Sequence, residues 1–201
     1  MATDQDFKKA LDFLLSPEIE GGFNNIPGDK GGATNCGISL KFLRDTGDYD
    51  LGDVDGDGDI DIQDIRLMNH KTAGRIYKKY FWDYFPMAEI PAQVAYVVFD
   101  VAVNSGQRTA AKLLQKALGI AADGVIGPKT IHALRCVDSS FNLADKMCQL
   151  RKTQYVSYVQ HDASLQQFLD GWLNRVDHVD YSQTWQHLDF TICNLEIEGL
   201  T

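Results

Sequence analysis

The chain has 201 residues, 44% of them hydrophobic, and carries 28 acids against 19 bases for a net charge of −9. That length accommodates one domain, or one domain with a small module, and no stretch approaches the roughly 20 consecutive apolar residues of a membrane helix, so no membrane insertion is expected. Nine of the acids lie between Asp45 and Asp64, a stretch without Lys or Arg, and the remaining 19 acids balance the 19 bases; this neutrality excludes nucleic acid as an expected partner.

The N-terminus, MATDQDFKKALDFLL, has acids where a secretory signal would have a basic region, so synthesis in the cytoplasm without a signal peptide is expected. The segment Thr3 to Leu15 reads as a helix, with Phe7, Ala10, Leu11 and Leu14 recurring on one face. Ser16-Pro17 disturbs that pattern, and one further turn would carry Glu20 at its end. The stretch from Glu18 to Ser39 then places Gly21, Gly22, Gly28, Gly31, Gly32 and Gly37 within seventeen residues. Such glycine density argues against helix and for tight turns or close approach to a ligand. An irregular hairpin is expected, with short strands near Gly22–Ile26 and Thr34–Ile38. Glu20, Asp29 and Thr34 are its candidates for proton chemistry. Glycosidases commonly use one carboxylic acid to protonate the leaving oxygen, and a second carboxylate to support the oxocarbenium-like transition state or to activate water.

Leu40 to Arg44 begins a short helix. The run DVDGDGDIDIQD from Asp53 to Asp64 follows, with acids at loop positions one, three, five, seven, nine and twelve, Gly58 at six and Ile60 at eight. This is the calcium-loop template with Asp in place of Glu at position twelve. Asp53, Asp55, Asp57, Asp59, Asp61 and Asp64 are the expected ligands: carboxylates from Asp53, Asp55, Asp57 and Asp64, the backbone carbonyl of Asp59, and a direct or water-mediated contact from Asp61. A structural Ca2+, with Mg2+ as the other candidate, is the expected cofactor, because this density of Asp repels itself without a cation. The segment before the loop reads as a poor entering helix and IQDIRLMNH as a fair exiting one, so the loop is of the half EF-hand or dockerin type.

Lys71 to Phe85 is helical and rich in aromatics, too many for one helix face; Trp82 or Tyr84 could line a sugar cleft. Pro91 opens and Gly106 ends a segment that is apolar all round, hence a buried central helix, with Asp100 and Asn104 as its polar exceptions. Further helices are expected at Gln107–Leu118, after Pro128, at Ser140–Gln160 and at Leu165–Val179. The cysteines, Cys36, Cys136, Cys148 and Cys193, form no C-x-x-C pair and are expected to be reduced thiols.

Several stretches together resemble glycoside hydrolase family 108, the peptidoglycan muramidases found as phage endolysins and in some bacterial secretion systems. The family's E-G-G-Y appears as Glu20-Gly21-Gly22-Phe23, and its D-x-G-G-x-T-N-Y-G-I-T/S as Asp29 to Ser39. Its D-x-x-x-N-x-G runs from Asp100 to Gly106, its L-Q-x-A-L-G-x-x-x-D-G-x-x-G-P-x-T from Leu114 to Thr130, and its G-W-L-N-R-V from Gly171 to Val176. Phe23 and Cys36 stand where the family has tyrosines, and the acidic loop is an insertion. The resemblance implies that Glu20 is the catalytic acid. Glu20, Asp29 and Thr34 also resemble the Glu-Asp-Thr triad of phage lysozymes, E-x8-D-x5-T, with the second spacing one residue short.

The expected fold is mainly α, a lysozyme-like helical fold with a small Gly-rich β-hairpin at the active site. The resemblance implies a catalytic region over residues 1–105 and a helical peptidoglycan-binding-like region over 106–201, packed into the same globule. It implies an endolysin that hydrolyses the β-1,4 bond between N-acetylmuramic acid and N-acetylglucosamine, a lysozyme. Trp82, Tyr84 and Asn104 are the expected substrate contacts. The partner is bacterial peptidoglycan, reached after release by a holin or a secretion system, and a monomer is expected. The rival readings are a lytic transglycosylase and a non-catalytic, calcium-dependent wall-binding module.

Overall fold

In the computed structural model the described residues are 1–16, 19, 22–26 and 31–179. Among these residues the chain is mainly helical with one small two-stranded sheet, as the periodicity predicts. No helix among the described residues is long and apolar enough to cross a membrane. Two compact units are present, Asp4–Phe85 and Met1–Thr3 with Pro86 onward.

In the first unit, α1 (Asp4–Leu14) buries Phe7, Ala10 and Leu14, an i, i+3, i+7 stripe that removes one face from water. The hairpin pairs β1 (Thr34–Asn35) with β2 (Ile38–Ser39) in antiparallel register, Thr34 opposite Ser39 and Asn35 opposite Ile38. Its two-residue loop, Cys36-Gly37, has φ of 49° and 71°. Positive φ at both central positions matches strand twist in tight hairpins, and Cys36 adopts it without being glycine, at a cost on the order of 1 kcal/mol. Asn24 extends the pairing through two backbone hydrogen bonds with Thr34, each 2.8 Å.

Ser39 caps α2 (Leu40–Thr46), which Gly47 ends in the left-handed conformation. A single turn, α3 (Tyr49–Gly52), precedes the acidic loop, and α4 (Ile62–Leu67) leaves it behind a capping box formed by Asp61 and Asp64. The aromatic segment departs from the single helix expected. Helix α5 (His70–Tyr77) passes into a π-turn at Lys78–Trp82. There the Asp83 amide donates to the Lys78 carbonyl five residues back, and the wider turn resets which side chains face the core.

In the second unit, α6 (Ala92–Ser105) buries every residue from Val94 to Ala102. Around it pack α7 (Gln107–Leu118), α9 (Ser140–His161) and α10 (Gln166–Val179); α8 (Pro128–Arg135), with Pro at its first turn, packs on α7. A helix apolar all round needs neighbours on every side, which is why α6 joins the C-terminal helices. Cys36, Cys136 and Cys148 are free thiols; Cys193 lies outside the described residues.

Candidate functional site

Glu20 and Asp29, the two carboxylates singled out in the sequence, lie outside the described residues. The hairpin that follows them is described, and α4 holds it at several points. Asn35, 8% exposed, donates its side-chain amide to the carbonyls of Ile65 at 2.9 Å and Met68 at 3.1 Å. These are carbonyls at the C-terminal end of α4, where a helix lacks internal donors. Phe23 presents its ring to the Arg66 guanidinium, 5.1 Å from the centroid. The Tyr77 hydroxyl, on α5, donates to the Cys36 carbonyl at 3.0 Å. Thr34 is half-buried, its hydroxyl 3.4 Å from the Gly32 carbonyl.

The acidic loop sits directly before α4, so whatever orders the loop also positions the helix that grips the hairpin. The Asp53 carboxylate accepts from the amides of Gly56, Asp57 and Gly58 at 2.7, 3.1 and 2.9 Å. Asp64, 1% exposed, accepts from Val54 and Asp61, both at 2.6 Å, and so ties the loop's two ends together. Gly56 and Gly58 take φ of 80° and 94°, which only glycine adopts freely. Ile60 is buried, and its carbonyl accepts from Arg44 at 2.7 Å. Side-chain oxygens of Asp53, Asp55 and Asp57 lie within 4.8 Å of one another, as do those of Asp59, Asp61 and Asp64. This donor set, all hard oxygen and excess negative charge, fits a hard divalent cation. Two acids register the crowding. Partial removal from water and the charges of Asp57, Asp64 and Asp53 raise the Asp55 pKa, and the charge of Asp57 leads the causes that raise Asp59.

Beside the loop, Asp48 is held by Lys79 at 2.6 Å and by the Tyr80 hydroxyl at 2.7 Å, which keep its carboxyl below the usual range. This node went unread in the sequence, because its members are more than thirty residues apart.

Trp82, expected to face a sugar, is 3% exposed and packs edge-on against Phe7, centroids 5.3 Å apart. It belongs to the core of its unit and leaves no face open to a ligand. Tyr84 is 63% exposed and meets Phe85 edge-on. Asn104, in the second unit, is exposed at the end of α6, where its Oδ1 accepts from the Tyr155 hydroxyl at 3.1 Å.

That contact belongs to a buried network. Asp100 receives the guanidinium of Arg151 at 2.5 Å and that of Arg175 at 2.9 Å, and Arg151 also donates to the Tyr155 hydroxyl at 2.8 Å. The D-x-x-x-N-x-G and G-W-L-N-R-V segments thus meet through Asp100 and Arg175. The motif from Leu114 to Thr130 is likewise a lock. The amide nitrogen of buried Gln115 lies 2.7 Å from Asp123, 2.9 Å from the Val125 carbonyl and 3.1 Å from Thr130, while its oxygen accepts from Gly124 at 2.8 Å. Gly124 has φ of 85°, and a Cβ there would come within 2.7 Å of Arg108.

Residues 15–106 match the family model described as Glycosyl hydrolase 108, and residues 109–177 the one described as Predicted Peptidoglycan domain. The boundary between these matches falls after α6, whereas the two compact units divide at Phe85 and Pro86. Among solved structures the chain is similar to SagA from Brucella abortus, with 29% identity and a TM-score of 0.68, over 90% of this chain and 94% of that one. Among curated proteins no match was found. The two matches lie in tandem along the chain, a glycosyl hydrolase match followed by a peptidoglycan match.

Proposed function

We propose that this chain is a peptidoglycan muramidase that hydrolyses the β-1,4 bond between N-acetylmuramic acid and N-acetylglucosamine, as a lysozyme of the endolysin type. The observation that carries the reading is the glycosyl hydrolase match over 15–106 followed directly by the peptidoglycan match over 109–177. Glu20 is assigned as general acid. Asp29 supports positive charge at the anomeric carbon or positions water, and Thr34, on the first strand of the hairpin, assists it. Tyr84 and Asn104 remain candidate substrate contacts; Trp82 acts through packing.

A divalent cation, with Ca2+ the better fit and Mg2+ the alternative, is proposed for the acidic loop. Asp53, Asp55, Asp57 and Asp64 would supply carboxylates, with Asp59 and Asp61 completing the shell. Its contribution would be charge neutralisation and ordering of the loop. Support for a bracing role comes from α4, which leaves the loop and reaches the hairpin through Asn35 and Phe23.

The test is mass spectrometry of purified peptidoglycan digested by wild type and by Glu20→Gln. Reducing muramic ends from wild type, and none from a folded Glu20→Gln, are expected. Products ending in 1,6-anhydro sugars would instead show a transglycosylase, and a fully active Glu20→Gln would remove the residue from the mechanism.

A further inference from the structure

A groove of about 810 Å³ in the first unit lies between α1, the turn α3 and α5. Its apolar lining comes from Phe7, Leu11 and Leu51, and its rim is charged. Five cationic side chains line it, Lys8, Lys71, Arg75, Lys78 and Lys79, against three acids, Asp4, Asp50 and Asp83. Lys71, Arg75 and Lys78 are spaced i, i+4, i+7 and so share one stripe of the helix. Lys78 is half-buried between Asp4 and Asp83, its ammonium 5.6 Å from the Phe7 ring centroid. Burial alone would lower its pKa, but hydrogen bonds to Asp83 and Asp4 raise it, so it is a fixed cation. Lys79 is neutralised by Asp48.

Among the described residues Lys8, Lys71 and Arg75 form no ion pair, and neither does Asp50. The groove therefore offers three uncommitted cations, one uncommitted carboxylate and an apolar floor, on a chain whose net charge is −9. A volume of this size holds a ligand of several residues.

We propose that this groove binds the stem peptide of peptidoglycan through its free carboxylates. This rests on the peptidoglycan reading above and adds a peptide subsite to it. A stem peptide carries carboxylates, small methyl side chains and, at its diamino acid, an amine. Lys8, Lys71 and Arg75 match the carboxylates, Phe7, Leu11 and Leu51 the methyl groups, and Asp50 the amine. A polyphosphate wall polymer matches less well, because it would lay like charge against Asp4, Asp50 and Asp83.

The experiment uses the full chain and the exposed pair Lys71→Ala/Arg75→Ala. Backbone amide shifts are followed by NMR while a soluble stem tetrapeptide is added, with its carboxyl-amidated form and poly(glycerol phosphate) as comparison probes. Binding that shifts α1 and α5 amides is expected, weakened at least fivefold by the double substitution and by amidation. The double variant should also raise KM about tenfold on peptide-bearing glycan and leave turnover of peptide-stripped glycan unchanged. Tetrapeptide binding that ignores the substitution, binding of the phosphate polymer alone, or equal loss on both glycans would overturn the proposal. The titration needs no catalysis. A chain that binds the tetrapeptide in the groove and cleaves no glycan keeps the subsite and refutes the enzyme reading.

Discussion

Asp100→Ala tests what the buried network of the second unit does. Asp100 and Arg151 are each 3% exposed, and their ion pair is inaccessible to water. Arg151 has no second carboxylate among the described residues, and its Nη2 is buried without a hydrogen-bond partner there. Removing the Asp100 carboxylate therefore strands the Arg151 guanidinium in the core, with the Tyr155 hydroxyl as its hydrogen-bond partner and the Arg175 guanidinium, which loses the same carboxylate, close by. Breaking one side of a buried pair costs about 3–5 kcal/mol. For a chain of this size that is a fall in melting temperature of roughly 6–20 °C. The double variant Asp100→Ala/Arg151→Met also removes the more deeply buried of the two stranded cations, leaving Arg175, and should recover a good part of the loss, because that isolated charge is the dominant penalty. Differential scanning calorimetry of wild type, both single variants and the double variant gives the coupling directly. An Asp100→Ala melting point within 2 °C of wild type, or a double variant no more stable than Asp100→Ala, would refute this account.

Two further outcomes follow from the first unit. Calcium added to chelator-treated protein at a hundredfold excess over its Kd should raise the melting temperature by roughly 5–10 °C, and Asp64→Ala should abolish the rise; no heat in titration calorimetry and no thermal shift would refute a cation site. Asp48 is held below its usual 3.8 by its hydrogen bonds to Lys79 and Tyr80, so its contribution is present in full above that value and is lost as pH falls through the lower folded pKa. Because Lys79 is largely exposed, Asp48→Asn should cost about 1 kcal/mol or less at pH 7; urea unfolding should show the difference vanish near pH 2, and a difference that persists there would sink the assignment.

Local chemistry made most of the helices readable. Pro91 and Gly106 bracket α6, Gly119 ends α7, and Pro128 opens α8, each acting through its own backbone preference. The hairpin was legible only in outline: its glycines announced tight turns, but the strand expected near Thr34–Ile38 folds back on itself at Cys36-Gly37, and the stretch expected as its partner contributes a single bridge at Asn24. Trp82 was not. A sequence periodicity assumes a constant angle per residue, and the π-turn at Lys78–Trp82 breaks that angle just where the aromatic residues cluster. A side chain counted as surplus to one face is thereby carried into the core. Asp100 was visible as a polar exception in an apolar helix, but its partners Arg151 and Arg175 lie 51 and 75 residues away. No spacing rule reaches that far, so only the packing of α9 and α10 on α6 reveals that two of the sequence motifs meet on one carboxylate.

Charge shows most clearly how a sum can hide a site. Outside the Asp45–Asp64 stretch the acids and bases cancel at 19 each, and from that balance nucleic acid was not an expected partner. Cancellation in composition is not cancellation in space. Coulomb attraction weakens with distance and is screened beyond about 10 Å, so what a ligand meets is the local set. In the groove between α1 and α5, Asp4 and Asp83 are both spent on Lys78, and Lys79 is spent on Asp48. Lys8, Lys71 and Arg75 remain, lining a cavity with an apolar floor. Three of the groove's cations share a helical stripe that the sequence displays, at residues 71, 75 and 78. The acids that decide which of the groove's cations stay uncommitted come from α1, the segment before α3 and the end of the π-turn. The stripe was therefore readable, and its unspent charge became readable only once the fold had assigned the partners.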